Sequence, residues 1–439
     1  MDQINIQFKI DENKYITLYK EIKKMIMKGV ISPNEKLPSK RNLALHLSIS
    51  NNTVINAYNL LLDEGYIYSK EKSGYYVSPN RYLFLDKQVN EFQEEKKKTY
   101  KYDFTSENID ESLFPFYTFK KVTERIISEN KDIWLTRNNY QGDKRLRKNL
   151  AKYLYENKGM EVDENNIVIV SSLEESLQII SSLIKVDRVA LENPIFPKVN
   201  SFFSNREITY LDVDKEGVII DKNLSFDIIY TTPYNQYPSG VKMTPKRRLE
   251  VINSNVSYIF EDDFDCDIIQ QNKVISTLYS LNPNKVIYHG SFSHTLCPGL
   301  RISYLVLPHS LVKTYKDKYK DSSSRISSLD QSILSSFLEE GHYYRHINKL
   351  RKSLKIKSEI IQDIFIKKNI KYEKNELSFF IHSTKSKEDL SSSFEKHNIK
   401  INLMSKYMKN KEDDRIIICY TNLKVEDIND SINLLLSII

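Results

Sequence analysis

The stretch YHGSFSHTLCPGLRISYLVLP, from Tyr288 to Pro308, decides the fold of the larger part of the chain. A strand-like apolar run, KVIYHG, leads into a turn of small residues, SFS, and His294 follows directly. Arg301 comes seven residues after His294. A buried strand that ends in polar residues is typical of the ligand-binding edge of an α/β sheet. The stretch therefore predicts such a sheet and raises the question of what His294 does at its edge.

Four further apolar runs of this kind alternate with helical patterns such as KRLRKNLAKYLYEN and SLEESLQIISSLI. This alternation favours an α/β domain with a largely parallel sheet. Ligands of such sheets bind beyond the carboxyl ends of the strands, so the polar residues after the five runs can converge on one pocket. The four runs are NIVIV, RVAL, FDIIY and VSYIF, and SSLEE, ENPIF, TTPYNQYPSG and EDDFD follow them.

Length and composition limit the class of protein. The 439 residues suffice for two or three domains, and 40% hydrophobic with 28% charged residues is ordinary for a soluble protein. We find neither an apolar run that could span a bilayer nor a signal-peptide pattern at the N-terminus. The three cysteines are far apart, which favours a reducing cytoplasm over a disulfide framework or a zinc site. The net charge of +7 is compatible with nucleic acid binding.

The first eighty residues predict a winged helix-turn-helix. YITLYKEIKKMIMKGV has helical spacing, KRNLALHL predicts a short helix capped by Ser39, and NNTVINAYNLLLDEG predicts a second one capped by Ser50. YIYSKEKSGYYVS alternates around a Ser-Gly turn, as a hairpin does. Amides at the start of the second helix of the pair can contact base edges. The candidate DNA-binding residues are Ser39, Lys40, Arg41, Asn51, Asn52, Thr53, Asn56, Lys70, Lys72 and Gly74.

A helical adaptor with a solvated polar face is the alternative for this region. Residues 1–80 carry 11 Lys and Arg against 8 Asp and Glu, a difference of only three charges. The segment LPSKRNLALHLSISNNTVINAYNLLLDEGYI, with KSGYYV after it, resembles the DNA-binding domain of GntR-type regulators. The resemblance implies DNA binding. It departs from the family at Asn51, where arginine is usual, so no operator sequence follows from it.

The rest of the chain resembles the fold-type I aminotransferase domain of MocR-type regulators, in which that domain follows a GntR-like one. The resemblance lies in FTSENIDESLFPFYTF, YQGDKRLRKNLAKYL, TTPYNQYPSGVKMTPKRR, EDDFDCD, GSFSHTLCPGLRISYLVLP and DDRIIICY. It implies a largely parallel sheet followed by a smaller C-terminal α+β subdomain.

In that family the pocket holds pyridoxal phosphate. The resemblance implies that Asp262 matches the acid that pairs with the pyridine nitrogen. Arg301, Ser291 and Ser293 match the groups that hold the phosphate, and Arg415 matches an arginine that grips an amino-acid carboxylate. Guanidinium groups bind such anions with two hydrogen bonds.

Four departures fall in this pocket. His294 replaces the lysine that forms the Schiff base, and imidazole has no primary amine for that bond. Phe264 replaces a tyrosine, Phe196 keeps an aromatic face without a hydroxyl, and Ser172 replaces a glycine. We therefore expect neither catalysis nor covalent pyridoxal phosphate, although the cofactor could bind without a covalent link. The residues assigned to this pocket are Ser172, Phe196, Asn235, Asp262, Phe264, Ser291, Ser293, His294, Arg301 and Arg415.

Other interpretations of these residues stay open. His294 could be a general base, since its ordinary pKa is about 6.5, or it could fill space and form a hydrogen bond. Arg301 and Arg415 could be structural ion pairs instead of ligand-binding groups. The carboxylates of the acidic run match no metal template, so we expect no metal. They are Glu261, Asp262, Asp263, Asp265 and Asp267.

The sequence as a whole predicts a cytoplasmic transcriptional regulator that is not an enzyme and binds double-stranded operator DNA. We expect a head-to-tail homodimer, two half-sites, a possible small anionic effector and no membrane contact. The predicted domains are a winged helix-turn-helix over residues 1–79, a linker over 80–100 and an aminotransferase-like domain over 101–439, with a small subdomain over about 310–439. The alternatives are a regulator that binds pyridoxal phosphate non-covalently, an active pyridoxal phosphate enzyme, and a scaffold that only dimerises the DNA reader.

Overall fold

A computed structural model describes residues 4, 6, 8, 13–79, 99–105, 110–221, 223–269, 276–383 and 385–439. The chain divides into two compact units, residues 1–97 and 98–439. Most of the predicted linker, residues 80–98, lies outside the described residues. The predicted domain limits therefore stay a prediction.

The N-terminal unit contains three helices and a hairpin. Ser39 and Ser50 cap two of the helices, since their hydroxyls accept hydrogen bonds from Asn42 N at 3.2 Å and Thr53 N at 3.1 Å. A capped helix start satisfies amide groups that have no partner inside the helix. The elements are α1 (Lys14–Met27), α2 (Lys40–His46), α3 (Asn51–Asp63), β1 (Ile67–Lys70) and β2 (Gly74–Val77).

The core of this unit forms around α3. Val54, Ala57, Tyr58 and Leu61 are fully buried and lie on one face of the helix, as their spacing predicts. The Tyr58 hydroxyl satisfies its polar end by donating to the carbonyl of Pro38 at 3.0 Å. The opposite face of α3 is exposed to solvent.

The second unit contains an eight-stranded sheet in the order β4-β11-β10-β9-β8-β5-β6-β7. The strands from β10 to β6 pair in parallel, whereas β11 and β7 pair antiparallel with their neighbours. All five apolar runs of the sequence are strands of this sheet. The strands are β4 (Ile167–Val170), β5 (Arg188–Asn193), β6 (Glu207–Asp214), β7 (Gly217–Val218), β8 (Phe226–Thr231), β9 (Val256–Asp263), β10 (Val286–Ser291) and β11 (Ser303–Val306).

Helices cover both faces of the sheet, which explains why its strands are continuously apolar. In β4, Ile167 and Ile169 belong to one core cluster, and Val168 and Val170 belong to the other. The helices are α4 (Phe116–Glu129), α5 (Lys144–Lys158), α6 (Leu173–Leu183), α7 (Pro197–Phe202), α8 (Pro245–Ile252), α9 (Cys266–Ile269), α10 (Leu278–Leu281), α11 (His309–Tyr319) and α12 (Ser328–Glu339).

A second, antiparallel sheet follows the long helix α13 and has the order β12-β13-β16-β15. The short strand β3, at the start of this unit, pairs in parallel with β14 near its end. The elements are β3 (Tyr102–Asp103), α13 (His342–Lys367), β12 (Glu373–Lys374), β13 (Ser378–Ile381), α14 (Lys387–Lys396), β14 (Ile399–Lys400), β15 (Asn402–Leu403), β16 (Ile416–Cys419) and α15 (Ile428–Ile438). Within the described part of the chain, none of the helices has both the length and the apolar character needed to cross a bilayer.

Candidate functional site

The exposed face of α3 carries the predicted base-contacting residues. Asn51, Asn52 and Asn56 are exposed, and Thr53 is half-buried beside the capping Ser50. Asn59 is also exposed and lies one turn further along the same face. The sequence interpretation missed Asn59 because it considered only the first turns of the helix. Asn52, Asn56 and Asn59 together form a polar stripe of amide groups.

Lysines surround the hairpin, and tyrosine rings hold several of them. Lys40 Nζ lies 4.8 Å from the ring centre of Tyr75, and Lys70 Nζ lies 4.8 Å from that of Tyr76. Lys36, which the sequence interpretation missed, lies 5.9 Å from the Tyr76 ring, and its backbone forms a bridge with Tyr76. A cation held over a ring face loses less freedom when it meets a phosphate. The remaining candidates, Ser39, Arg41, Lys72 and Gly74, lie at the start of α2 and at the hairpin turn.

A cavity of about 470 Å³ lies at the carboxyl ends of the strands of the large sheet. Residues that follow β4, β5, β8, β9 and β10 all line it, so the five polar clusters of the sequence do converge. Asn402, Lys406 and Tyr407, from the C-terminal part of the unit, complete its wall. Eight predicted pocket residues line it: Ser172, Phe196, Asp262, Phe264, Ser291, Ser293, His294 and Arg301.

The structure does not bring the other two predicted residues into this cavity. Asn235 is buried and lines a neighbouring small space beside Phe264 and Asp265. Arg415 is held by Asp413, whose carboxylate accepts hydrogen bonds at 3.0 and 2.7 Å, and it also pairs with Glu373. The expectation that Arg415 faces the pocket beside Arg301 is thus corrected: the Arg415 guanidinium is already engaged by two carboxylates.

Aromatic side chains form one wall of the cavity. The His294 ring packs edge-to-face against Phe264, with 4.6 Å between ring centres. Tyr237 contacts Phe264 at 5.8 Å, Phe196 at 5.6 Å and Tyr407 at 5.2 Å. Edge-to-face contacts of this kind hold rings in fixed orientations. His294 is therefore part of an aromatic surface.

Asp262 is the residue of the acidic run that faces the cavity. One of its oxygens accepts a hydrogen bond from Tyr230, and its burial raises the pKa of the carboxyl to about 7. Its neighbours Glu261 and Asp263 point to the opposite side, because successive side chains of a strand alternate. Glu261 accepts from the amides of Leu278 at 2.9 Å and Tyr279 at 2.8 Å.

Asp263 and Asp267 belong to a buried network around Lys158. Lys158 pairs with Asp263 and, at 3.2 Å, with Asp267, and Tyr343 donates to Asp267 at 2.7 Å. Burial opposes the charge of Lys158, but the two carboxylates hold its pKa above the ordinary value. Among the described residues no group of His, Cys, Asp and Glu side chains is arranged to hold a metal.

Charged residues that the sequence interpretation did not single out also line the cavity. Glu174 lies in the first turn of α6, and its carboxylate is 3.2 Å from Lys198 Nζ. Burial opposes its ionisation, but hydrogen bonds from its own amide, Ser172 and Lys198 hold the pKa of Glu174 below the ordinary value. Glu192 is buried and accepts from Thr232 Oγ1 at 2.8 Å. The helix dipole stabilises acidic side chains at a helix start. Glu174 therefore looked like an ordinary helix-start residue in the sequence, and its position in the cavity was not predicted.

His289 lies at the floor of the cavity. Its Nδ1 is 3.1 Å from the Ser176 hydroxyl, and burial lowers the pKa of its imidazole to about 3. A neutral imidazole in a hydrogen bond with a buried hydroxyl is a structural arrangement. No signal in the sequence singled this residue out.

Two protein families match the chain. Residues 14–77 match the family described as "Bacterial regulatory proteins, gntR family", and residues 107–423 match "Aminotransferase class I and II". The chain belongs to the MocR-type regulators, which join these two domains.

Curated relatives support this assignment to the MocR type over most of the chain. The uncharacterized HTH-type transcriptional regulator YdeL of Bacillus subtilis is 33% identical over 365 residues, which cover 80% of this chain and 79% of YdeL. The probable rhizopine catabolism regulatory protein MocR of Rhizobium meliloti is 26% identical, with 76% and 73% covered. The pyridoxine biosynthesis regulator PdxR of Corynebacterium glutamicum is 25% identical, with 79% and 77% covered.

Solved aminotransferases share the fold of the second unit. An archaeal alanine:glyoxylate aminotransferase superposes with a TM-score of 0.69 at 20% identity and covers 79% of this chain and 91% of its own. A kynurenine aminotransferase of Pyrococcus horikoshii gives 0.67 at 18% identity, with 82% and 98% covered. The predictions of a MocR-type, DNA-binding transcriptional regulator and of its two folds are confirmed.

Proposed function

We propose that this MocR-type regulator is not an enzyme: its aminotransferase domain has lost transamination, forms the dimer and binds a small effector. The observation that carries the proposal is the position of His294. Its ring lines the cavity against Phe264, beside Asp262, and imidazole cannot form an aldimine. The relatives' names as transcriptional regulators agree with a non-enzymatic role.

The residues around the cavity do not fit covalently held pyridoxal phosphate. Two lysines line the cavity, Lys198 and Lys406, and both are exposed. Lys198 pairs with Glu174, and Lys406 donates to Asn402 at 2.9 Å. Neither is a desolvated amine of the kind that attacks a carbonyl. A covalent role for the cofactor therefore has no support in these contacts.

The separation of Arg301 from Arg415 changes the expected effector. The sequence predicts a small anion as the effector, because it assigns Arg301 and Arg415 to one pocket. In the structure, Arg415 is paired with Asp413 and Glu373. The case for an effector now depends on the cavity itself, which is large enough for a metabolite and is built from both parts of the second unit.

In this proposal a homodimer presents two copies of α3 to two operator half-sites. Amides of the α3 stripe contact base edges, and lysines of the hairpin contact phosphates. The effector changes operator affinity because it binds one arrangement of the dimer more tightly than another. We propose the cytoplasm as its location, since the partner is DNA.

Spectroscopy of the purified protein tests the loss of catalysis. We expect no aldimine absorbance band after addition of pyridoxal phosphate and no transaminase turnover with amino acids. A protein that shows the band, loses it on borohydride reduction and carries the label on a lysine would contradict the proposal. Operator binding, measured by gel shift in the same preparation, serves as the control for folded protein.

A regulator that binds pyridoxal phosphate non-covalently is the second candidate. Asp262, Ser291 and Arg301 favour it, because they line the same cavity and match the groups that hold this cofactor in the family. In that case calorimetry would detect binding of pyridoxal phosphate without an aldimine band, and the bound cofactor would be removed by gel filtration.

A further inference from the structure

The start of α6 is the natural place for a phosphate group in this cavity. Amides at a helix N-terminus point outward, and the helix dipole favours negative charge there. Helix α6 has eleven residues, and its first two positions, Leu173 and Glu174, line the cavity. A phosphorylated ligand bound against the sheet edge would be expected to direct its phosphate to this point.

Side chains of the protein itself occupy the start of α6. The Ser172 hydroxyl accepts from the amide of Glu175 at 3.3 Å, and the Glu175 carboxylate accepts from the amide and hydroxyl of Ser171, both at 2.6 Å. Glu174 lies one position earlier, inside the cavity, with Lys198 as its counter-ion at 3.2 Å. The amides of Ser171 and Glu175 and the ammonium group of Lys198 are thus already engaged by side chains of the same chain.

The other charges of the cavity are segregated by depth. The acids Glu192 and Asp262 are buried, with 1% and 7% of their surface exposed. The cations Lys198, Arg301 and Lys406 are exposed, and water weakens their attraction for a ligand. The inner cavity therefore combines carboxyl groups with the aromatic wall around Tyr237. This combination suits an organic cation, because ring faces attract it and a bound cation favours the ionised form of Asp262 and Glu192, whose pKa values burial raises.

We propose that Glu174 takes the place of a ligand phosphate, so that the cavity selects an unphosphorylated ligand with a positively charged group and rejects phosphorylated ones. This inference rests on the proposed role of the cavity as an effector site, and it names the class of effector. A dianionic phosphate placed near Glu174 would meet a like charge, and water screens this repulsion only in part because the Glu174 side chain is 39% exposed.

Pyridoxamine and pyridoxamine 5′-phosphate form a matched pair of probes, because both carry an aromatic ring and an amine and they differ only by the phosphate. Calorimetry on the full chain should give a Kd for pyridoxamine at least tenfold lower than for its 5′-phosphate. E174Q keeps the size of the side chain and removes its charge, so it should reduce this preference at least tenfold.

E388Q is the matched control, since Glu388 is an exposed acid in the first turn of α14 and does not line the cavity, so the net charge changes equally away from the site. It should keep the wild-type preference. If E174Q folds poorly, K198Q gives a second test, because loss of the counter-ion should strengthen the preference.

Tighter binding of the 5′-phosphate to the wild type would overturn the inference, as would equal preferences in E174Q and E388Q. Binding of neither probe to the wild type or to E174Q at millimolar concentration would overturn it as well. Operator binding without ligand is measured separately, so a failure of the regulatory function remains distinguishable from a failure of this ligand class.

Discussion

Single side chains decide what the cavity of the second unit can bind. His294 lacks the amine for an aldimine, and Glu174 brings a carboxylate to the start of α6. In the proposal the two residues oppose different parts of pyridoxal phosphate, since His294 offers no amine to its aldehyde and Glu174 repels its phosphate. The proposal therefore requires changes at both positions for covalent binding.

For this reason we expect H294K alone to show little aldimine absorbance at moderate concentrations of pyridoxal phosphate. The double variant H294K/E174Q should show the band at a concentration at least tenfold lower, because the phosphate no longer meets a carboxylate. Absorbance titration measures both. Equal titration curves for the two variants would mean that Glu174 does not oppose the phosphate, and H294K/E388Q is the control for charge.

Asp265 predicts a pH effect on stability. Burial, followed by the charges of Asp262, Asp267 and Asp263, raises the pKa of Asp265 to about 8. In the unfolded chain the carboxyl ionises near its ordinary pKa of about 3.9. Between these two values the folded state binds the extra proton, so stability falls as pH rises and the full loss is reached above the folded pKa.

D265N should remove this dependence. Asn accepts the left-handed backbone at this position, where φ is +58°, and keeps the shape of the side chain. We expect D265N to gain stability over the wild type as pH rises from 5 to 9, by at most about 4 kcal/mol, because about three pH units of this range lie below the folded pKa of about 8. Chemical denaturation at several pH values measures it. A constant difference between the two proteins across that range would refute the assignment.

At the scale of elements, we expect α3 to distinguish operator from other DNA. Its asparagines can donate and accept at one base edge, which backbone contacts by lysine cannot do. We expect N56A to lower operator affinity about tenfold, or about 1.4 kcal/mol, and to leave affinity for unrelated duplex DNA unchanged.

Fluorescence anisotropy with the operator and with a scrambled duplex of the same length measures both affinities. N253A is the matched control, since Asn253 is an exposed asparagine at the end of α8 in the other unit. Equal losses on the two duplexes would assign Asn56 to backbone contact.

The regular elements also mark the limits of what the sequence predicts. Continuous apolar runs identified five strands, and the capping serines identified α2 and α3, because both signals are local in the sequence. Strand β6 was missed, since it is only partly buried and its pattern is mixed. The position of Arg415 could not be predicted, because Glu373, one of its two partners, comes close only through the fold. Glu174 was missed because it also suits an ordinary helix start.

At the scale of the molecule, the chain divides into two compact units, and the proposal assigns recognition of DNA to the first and recognition of an effector to the second. The N-terminal unit has its own core of buried residues from α1, α3 and the hairpin. We expect residues 1–97 to fold alone and to bind the operator at least a hundredfold more weakly than the full chain, because the proposed dimer supplies a second reader at high effective concentration.

Circular dichroism and anisotropy check the two parts of this expectation. Fusion of residues 1–97 to an unrelated dimeric protein should recover most of the lost affinity. Full affinity of the isolated monomeric unit would show that the second unit adds nothing to operator binding.

The pairing of β3 with β14 fixes where the linker joins the second unit. Tyr102 and Asp103 pair with Ile399 and Lys400, which precede the cavity-lining Asn402 by three and two residues. The start of the second unit is therefore held by the C-terminal part that supplies Asn402, Lys406 and Tyr407, and not by the large sheet. An effector that drew Asn402, Lys406 and Tyr407 toward the large sheet would also move β14 and the paired β3. Binding in the cavity would then displace the start of the second unit directly, without a chain of side-chain movements through the core.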